Sequence, residues 1–340
     1  MTLHPHGHIL TVTANPAVDL TYSVPRLHPG ASHRVPAPLL RAGGKGLNVA
    51  RVVHQTGYPA LAVAPVGGAT GAEFSAELAA AGVPHALTEV AAATRRSMAF
   101  VDSAAGQTSI FNEAGLPLTA TEWRALTALV EQNLTGAGVL VGSGSLPEGA
   151  PPDVYPALVR QAKAQGIPCI IDTSGAALLA AADAGADLLK PNHHELLEAT
   201  GAATIADGAR MLLERGAGTV VVSCAEAGMS LYRRGEPSLQ ASLPRVDGNP
   251  TGAGDAAVAA FAVVLAAGIT TGETLLRLAV AWSAAAVLMP AAGELHASYP
   301  ELEVAVSLKP AHPPSIRPPS IHPPSIHPPS IHPPEQESGA

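Results

Sequence analysis

Short apolar runs alternate with longer stretches of helical periodicity from residue 8 to residue 308. The runs Ile9 to Thr13, Leu61 to Val66, Val139 to Val141, Cys169 to Asp172, Leu188 to Leu189 and Thr219 to Ser223 carry almost no polar positions. Such runs predict strands buried on both faces. Helical spacing predicts helices over Gly46 to Gln55, Gly71 to Ala80, Thr121 to Asn133, Pro152 to Gln165, His193 to Ala199, Ala206 to Arg215, Ala253 to Ala267 and Gly272 to Leu288. Strict alternation of the two implies right-handed βαβ units, so the expected fold class is α/β, with a mostly parallel central sheet covered by helices on both sides. Ligands in such sheets bind beyond the carboxyl ends of the strands.

Two stretches break the alternation. Leu20 to Leu40 and Ser97 to Phe111 show short segments of alternating polarity with no helix between them. They predict a small β layer that projects from the main sheet as a lid. From residue 309 the chain gives way to a tail in which Pro-Pro-Ser-Ile recurs at 313, 318, 323 and 328, a composition that forms neither helix nor paired strand. The expected organisation is a flexible N-terminus over 1–7, one globular domain over 8–308 and a disordered tail over 309–340. His4, His6 and His8 at one end, and His322, His327 and His332 at the other, have no scaffold that would fix metal-ligand geometry.

Composition narrows the function classes. With 340 residues and 47% hydrophobic content, core size is no constraint. A formal net charge of -8 with 3% aromatic residues offers neither the basic footprint nor the stacking rings of a nucleic-acid partner. Cys169 and Cys224 lie in apolar runs and imply neither a disulfide framework nor a zinc site. The start of the chain lacks a signal-peptide pattern and no later run reads as a membrane span, so a cytoplasmic, soluble protein is expected.

Candidate chemistry concentrates at the strand ends. Asn249-Pro250-Thr251-Gly252-Ala253-Gly254-Asp255 precedes an apolar helix. Its glycines let backbone N–H groups converge where the helix dipole favours an anion, and Asp255 at the same spot can take a proton from an attacking hydroxyl. That pairing of base and anion hole suits phosphoryl transfer, although Asp255 also fits a plain helix cap. Asn15-Pro16-Ala17-Val18-Asp19 follows the first strand, and Ala42-Gly43-Gly44-Lys45-Gly46-Leu47-Asn48 opens a helix. Gly142-Ser143-Gly144-Ser145-Leu146-Pro147 and Lys190-Pro191-Asn192-His193-His194-Glu195 follow two further strands. Each has a structural reading as well: Asn15 and Asp19 as turn caps, Lys45 and Arg95 as solvated charges, Asn192 with Glu195 as a capping box. His193 and His194 read as exposed helix positions, and Trp123 and Trp282 as packing groups. Together, and in this order, the motifs exceed what connectivity needs.

On these motifs the chain from about residue 8 to 300 resembles the ribokinase-like carbohydrate kinases of the PfkB family, in the branch of phosphofructokinases and tagatose-6-phosphate kinases. The resemblance implies a three-layer αβα fold with a β lid, ATP as phosphoryl donor and Mg2+ as cofactor. It implies Asp255 as general base, with the N–H groups of Gly252, Ala253 and Gly254 as anion hole. Asp19, Gly43, Gly44, Lys45 and Asn48 would hold the sugar, while Arg95 and Ser143 would bind the phosphate the substrate already carries. Asn192 and Glu195 would position magnesium through water, and Asn192, Ser223 and Gly228 would line the nucleotide. The implied reaction converts a ketohexose monophosphate to a bisphosphate, with phosphosugar and ATP as partners. An amphipathic β layer would leave one apolar face to cover, which makes a homodimer through the lid a further expectation.

Departures from the family pattern bear on the acceptor. Ala99 stands where many fructose phosphate kinases of this branch have a lysine, and Asn249-Pro250 replaces their Ser-Thr or Asp-Thr. Both tilt the expectation towards tagatose 6-phosphate, with fructose 1-phosphate as the alternative. Cys224-Ala225-Glu226 replaces a glycine-containing sequence at the nucleotide edge. Two rivals come from other classes. A catalytically silent sugar or nucleotide sensor would not need Asp255. A dinucleotide oxidoreductase would need more than Gly142-x-Gly144, which lacks the third glycine and the later acidic residue.

Overall fold

A computed structural model describes residues 3–310. The repeat segment expected as a tail lies outside the described residues. The first strand, β1 (His8–Val12), runs into two strands, β2 (Ala17–Val24) and β3 (Leu39–Gly43), before α1 (Lys45–Gln55), β4 (Ala60–Val66), α2 (Gly68–Ala80) and β5 (His85–Glu89). A hairpin of β6 (Arg95–Asp102) and β7 (Gln107–Asn112) follows, then α3 (Ala120–Leu134), β8 (Ala137–Ser143), α4 (Val154–Gln165), β9 (Cys169–Asp172), α5 (Gly175–Asp183) and β10 (Leu188–Leu189). The last part contains α6 (His193–Thr200), α7 (Ile205–Arg215), β11 (Thr219–Ser223), β12 (Met229–Arg233) and β13 (Leu239–Ser242). It ends with α8 (Ala253–Ala266), α9 (Gly272–Val287), α10 (Tyr299–Ala305) and β14 (Ser307–Pro310).

Ten strands form the main sheet in the order β14-β13-β12-β11-β10-β9-β8-β1-β4-β5. From β11 to β5 all neighbours are parallel, and β12, β13 and β14 add an antiparallel edge. Successive side chains divide between two cores. Ile9, Val139, Val141, Ile170, Leu188 and Val221 point to the side of α1, α2, α8 and α9. Leu10, Leu140, Cys169, Ile171, Leu189, Val220 and Val222 point to the side of α3, α4, α5, α6 and α7. That two-residue period, with both faces apolar, produces the three-layer αβα sandwich. Within it α8 is apolar all round, and Ala256 to Val264 are fully buried. Such a helix belongs at the centre of a layer, and its many alanines allow close approach to α1 and α9.

The second sheet has the order β3-β2-β6-β7. It is the β layer expected from the alternating segments, with different limits. β2 begins at Ala17, so Asp19 lies within a strand, and residues 25–38 carry no strand. The N-terminal expectation is corrected: Leu3 is 6% exposed in the core, and His6 donates its N–H to the Ala266 carbonyl (2.7 Å). The domain boundary also moves, since β14 runs to Pro310 by pairing with β13. Cys224 lies just beyond β11 and is half-buried. No helix among the described residues is long and apolar enough to cross a membrane.

Candidate active site

β1 has β4 on one side and β8 on the other, and the chain leaves in opposite directions from these neighbours. The crevice at their carboxyl ends is where a parallel sheet holds its ligand. Into it come the segment after β1, the end of β8, the end of β9, the start of α1 and the start of α8.

At α8 the Gly252 backbone has φ 85, and a Cβ there would lie 2.7 Å from the Ala292 Cβ, so only glycine fits. Ala253 donates its N–H to the Pro250 carbonyl (3.2 Å), while the N–H groups of Gly252, Gly254 and Asp255 have no partner among the described residues. The available donors are therefore Gly252, Gly254 and Asp255, and Ala253, expected as the third, is occupied. Asp255 is 6% exposed and accepts from the Asn48 amide at 2.8 Å. Burial pushes its carboxyl up to about 6. The Lys45 ammonium opposes the rise, the Asp172 carboxylate adds to it, and the Asn48 hydrogen bond and Lys190 act against it.

A buried charge cluster lies beside this carboxylate. Asp172, at the end of β9, meets Lys190 Nζ at 3.3 Å and Lys45 Nζ at 3.6 Å, and accepts from the Ser143 hydroxyl at 3.1 Å. Burial resists its ionisation, but the two ammonium groups and the Ser143 hydroxyl hold its carboxyl below the ordinary value. Lys190 Nζ would be 3.4 Å from a Cβ at Gly254, which sets this ammonium against the glycine turn. Lys45 Nζ also lies 3.8 Å from Glu195 Oε1, and the nearby carboxylates raise its pKa. Asp172 and Lys190 were missed from sequence. A lysine directly before Pro191-Asn192 and an aspartate closing an apolar run were the available signals, but only the fold brings them together.

Asn192 and Glu195 form a capping box. Asn192 N donates to Glu195 Oε2 (2.8 Å) and Glu195 N to Asn192 Oδ1 (2.9 Å). Such a cap is worth about 1 kcal/mol. It also orients Glu195, whose other oxygen faces Lys45. Ser223 bridges to Asn192 at the end of β11. Gly228 has φ 83, and a Cβ there would lie only 2.0 Å from the Ala241 carbonyl oxygen, so its place in the turn is a backbone requirement. Ala225 nearby has φ 47, unusual for a residue with a side chain. His193, expected as exposed, is half-buried, while His194 is exposed as expected; their ring centroids lie 3.8 Å apart.

On the small-sheet side, Asp19 projects from β2 against Gly43, where a Cβ would lie 2.0 Å from Asp19 Oδ2. Burial pushes the Asp19 carboxyl up to about 7; Arg95 opposes the rise and Asp255 adds to it. Gly44, with φ 108, would clash with Thr13 if it carried a Cβ (2.7 Å). Arg95 donates to Asn15 Oδ1 (3.1 Å), to the Asn15 carbonyl (3.2 Å) and to the Glu113 carbonyl (3.3 Å). Asn15 in turn donates to Ser145 Oγ at 3.2 Å. Ser143, expected beside Arg95, is fully buried with its hydroxyl on Asp172. The exposed hydroxyl in the Arg95 cluster is that of Ser145.

A buried carboxylate, unpaired N–H groups at a helix start and two lysines thus surround one spot, an arrangement chemically suited to phosphoryl transfer. The pfkB family carbohydrate kinase profile matches residues 11–297. The chain is 36% identical to the ATP-dependent 6-phosphofructokinase isozyme 2 of Mycobacterium tuberculosis, over 83% of this chain and 84% of that protein. It is also 36% identical to the 1-phosphofructokinase of Xanthomonas campestris pv. campestris, over 81% of this chain and 89% of that one. Its structure superposes on phosphofructokinase-2 from Escherichia coli in complex with fructose-6-phosphate with a TM-score of 0.80 at 33% identity, covering 88% of this chain and 98% of that chain. The protein belongs to the pfkB family of carbohydrate kinases, and its fold is ribokinase-like.

Proposed function

We propose that this protein is an ATP-dependent kinase that converts a ketohexose monophosphate to a bisphosphate. The observation that supports it most is the meeting of the Asp255 carboxylate with the unpaired N–H groups of Gly252 and Gly254 at the start of α8. Relatives named 6-phosphofructokinase and 1-phosphofructokinase support the acceptor class. The acceptor hydroxyl loses its proton to Asp255, whose carboxyl at about 6 is ionised near neutrality yet basic enough to accept it. Charge developing on the transferred phosphoryl oxygens meets the N–H groups of Gly252, Gly254 and Asp255, the α8 dipole and the ammonium groups of Lys190 and Lys45.

Asp19, with the exposed backbone of Gly43 and Gly44 and the Asn48 amide, reads the sugar hydroxyls. With its carboxyl at about 7, Asp19 accepts from two neighbouring hydroxyls when ionised and donates to one of them when protonated. Arg95 and Ser145 hold the phosphate already on the sugar, and fixing that end aligns the far hydroxyl with Asp255. ATP lies along Asn192, Ser223 and Gly228. Among the described residues no group of three or more His, Cys, Asp or Glu could hold a metal. Glu195 Oε1, left over from the capping box, fits magnesium, which takes one or two carboxylates and fills its shell with water and phosphate. When bound, magnesium would neutralise charge on the nucleotide phosphates.

The small sheet acts as a lid that excludes water. Its outer face carries Tyr22 stacked on Phe100 (5.2 Å) and Phe100 edge-on to Phe111 (5.6 Å), with Phe111 58% exposed. That face supports a homodimer through the lid, and Phe111→Lys should yield monomers in light scattering; an unchanged mass refutes it. The function is tested by coupled ADP release with magnesium and ATP against fructose 6-phosphate, tagatose 6-phosphate, fructose 1-phosphate and fructose. Strong preference for one phosphosugar supports the reading. Preference for unphosphorylated fructose, or no ADP release with any of them, contradicts it.

A further inference from the structure

The segment Pro290–Leu295 follows α9 and belongs to none of the motifs above, yet it packs against the glycine turn, α1 and β3. Ala292 packs against Gly252, where a Cβ would meet Ala292 Cα at 2.8 Å. Gly293 lies against Asn48, whose Oδ1 would be 3.3 Å from a Cβ there, and against Arg51. Asn48 is the residue that hydrogen-bonds Asp255. The segment therefore flanks the catalytic carboxylate from the glycine turn on one side and from α1 on the other.

Its anchors come from three directions. Asn249 Nδ2 donates to the Pro290 carbonyl at 3.0 Å. Gln55 grips Leu295 twice, donating to its carbonyl (2.8 Å) and accepting its N–H (2.7 Å). The third anchor is Arg41 on β3, which donates to the Ala292 carbonyl at 3.2 Å and pairs with Glu294. The side chains of Arg41 and Glu294 are 20% and 33% exposed. Among these three anchors, Arg41 alone comes from the small sheet.

Arg41 is also the direct cross-strand partner of Asp19, so the two side chains leave the same face of the sheet about 5 Å apart at Cβ. We infer that Arg41 is a positioning residue: it couples acceptor held at Asp19 to the Gly252–Asp255 turn through Ala292 and Glu294, so that closure of the small sheet and assembly of the anion hole occur together. This rests on the proposed kinase reading for the identity of the acceptor, but the mechanical link does not. Two states of the lid would bias the turn, and the turn the lid, by the same factor.

The test uses the full chain with Arg41→Met, which keeps the length of the stem and removes both bonds, and Glu294→Gln, which keeps the Ala292 contact. Hydrogen exchange of the unliganded protein is read first. Arg41→Met should accelerate the amides of 290–295 and of 252–255 together by about tenfold, the ratio that accompanies loss of a charge-assisted hydrogen bond. Glu294→Gln should give a smaller acceleration at the same amides. Acceleration confined to β3, or none, overturns the link whether or not the protein is a kinase.

Kinetics with the preferred phosphosugar supply the second readout. Arg41→Met should lower kcat by about tenfold, with the acceptor KM within about threefold of the starting value. Arg41→Lys, which restores one donor, should recover part of kcat. A rise in acceptor KM at constant kcat would make Arg41 an ordinary sugar contact and overturn the inference. A lowered melting temperature with uniform acceleration across the whole chain would make it a mere structural tie, with the same consequence.

Discussion

Asp255→Asn should make the protein more stable while stopping its chemistry. Burial moves the Asp255 carboxyl from an ordinary 3.8 to about 6. At ~1.4 kcal/mol per pH unit, keeping it ionised in the folded chain costs about 3 kcal/mol relative to the unfolded chain. Because the folded value is the raised one, the cost is absent in acid, where the carboxyl is protonated in both states. It grows as pH rises past the unfolded value and is complete above about 6. Asparagine has no charge to desolvate, and its carbonyl still accepts from Asn48. At pH 7.5 the variant should gain about 3 kcal/mol, or roughly 5 °C in a domain of this size. Near pH 4 the gain should shrink below about 1 kcal/mol. Thermal unfolding of both proteins from pH 4 to pH 8 measures it, alongside ADP release, which should fall by a factor on the order of 1,000. A variant no more stable at pH 7.5, or a gap independent of pH, would refute the assignment of burial as the cause.

Gly43→Ala puts a Cβ 2.0 Å from Asp19 Oδ2, so it should displace that carboxylate and weaken phosphosugar binding by at least about tenfold. Nucleotide binding by calorimetry should be unaffected, and intact phosphosugar affinity would remove Asp19 from the site. Asp172→Leu leaves Lys190, 4% exposed, buried without its carboxylate, which should cost about 3–5 kcal/mol of stability; a melting temperature unchanged from the parent contradicts this. The acid limb of kcat/KM should lie near pH 6 and move up by roughly one pH unit in Asn48→Leu, which removes a donor to ionised Asp255. A stationary limb would show that another group controls it.

The sheet and its covering helices were legible because the buried strands carry apolar side chains to both faces, as in Val139-Leu140-Val141 and Cys169-Ile170-Ile171. What escaped had weaker signals. β5 is partly exposed along its whole length, β12 to β14 form an edge, and α5 is a nine-residue alanine-rich helix. Asp255, Asn48, Asp19 and the glycines stand in contiguous motifs, which is why the sequence offers them as candidates, and the structure brings them to one crevice. The sequence shows two serines flanking Gly144 and not which one faces inward; the structure turns Ser143 onto Asp172 and leaves Ser145 exposed. Asp172, Ser145 and Arg41 find partners far away in the chain: Asp172 meets Lys45, Ser145 meets Asn15, and Arg41 meets Ala292 across a separation of 251 residues. Only packing of the small sheet on the sandwich brings such pairs together. In the capping box of Asn192 and Glu195 one Glu195 oxygen caps α6 while the other faces Lys45, so the structural reading holds and the second oxygen is left for the proposed role.

Phosphoryl transfer from ATP to a ketohexose monophosphate, with Asp255 as base, is tested most directly by mass spectrometry of the products after incubation with magnesium, ATP and each ketohexose monophosphate. The expected result is bisphosphate and ADP in equal amounts from one acceptor, and neither from the Asp255→Asn protein. Inorganic phosphate in place of bisphosphate, or bisphosphate formed undiminished by the variant, would contradict the account.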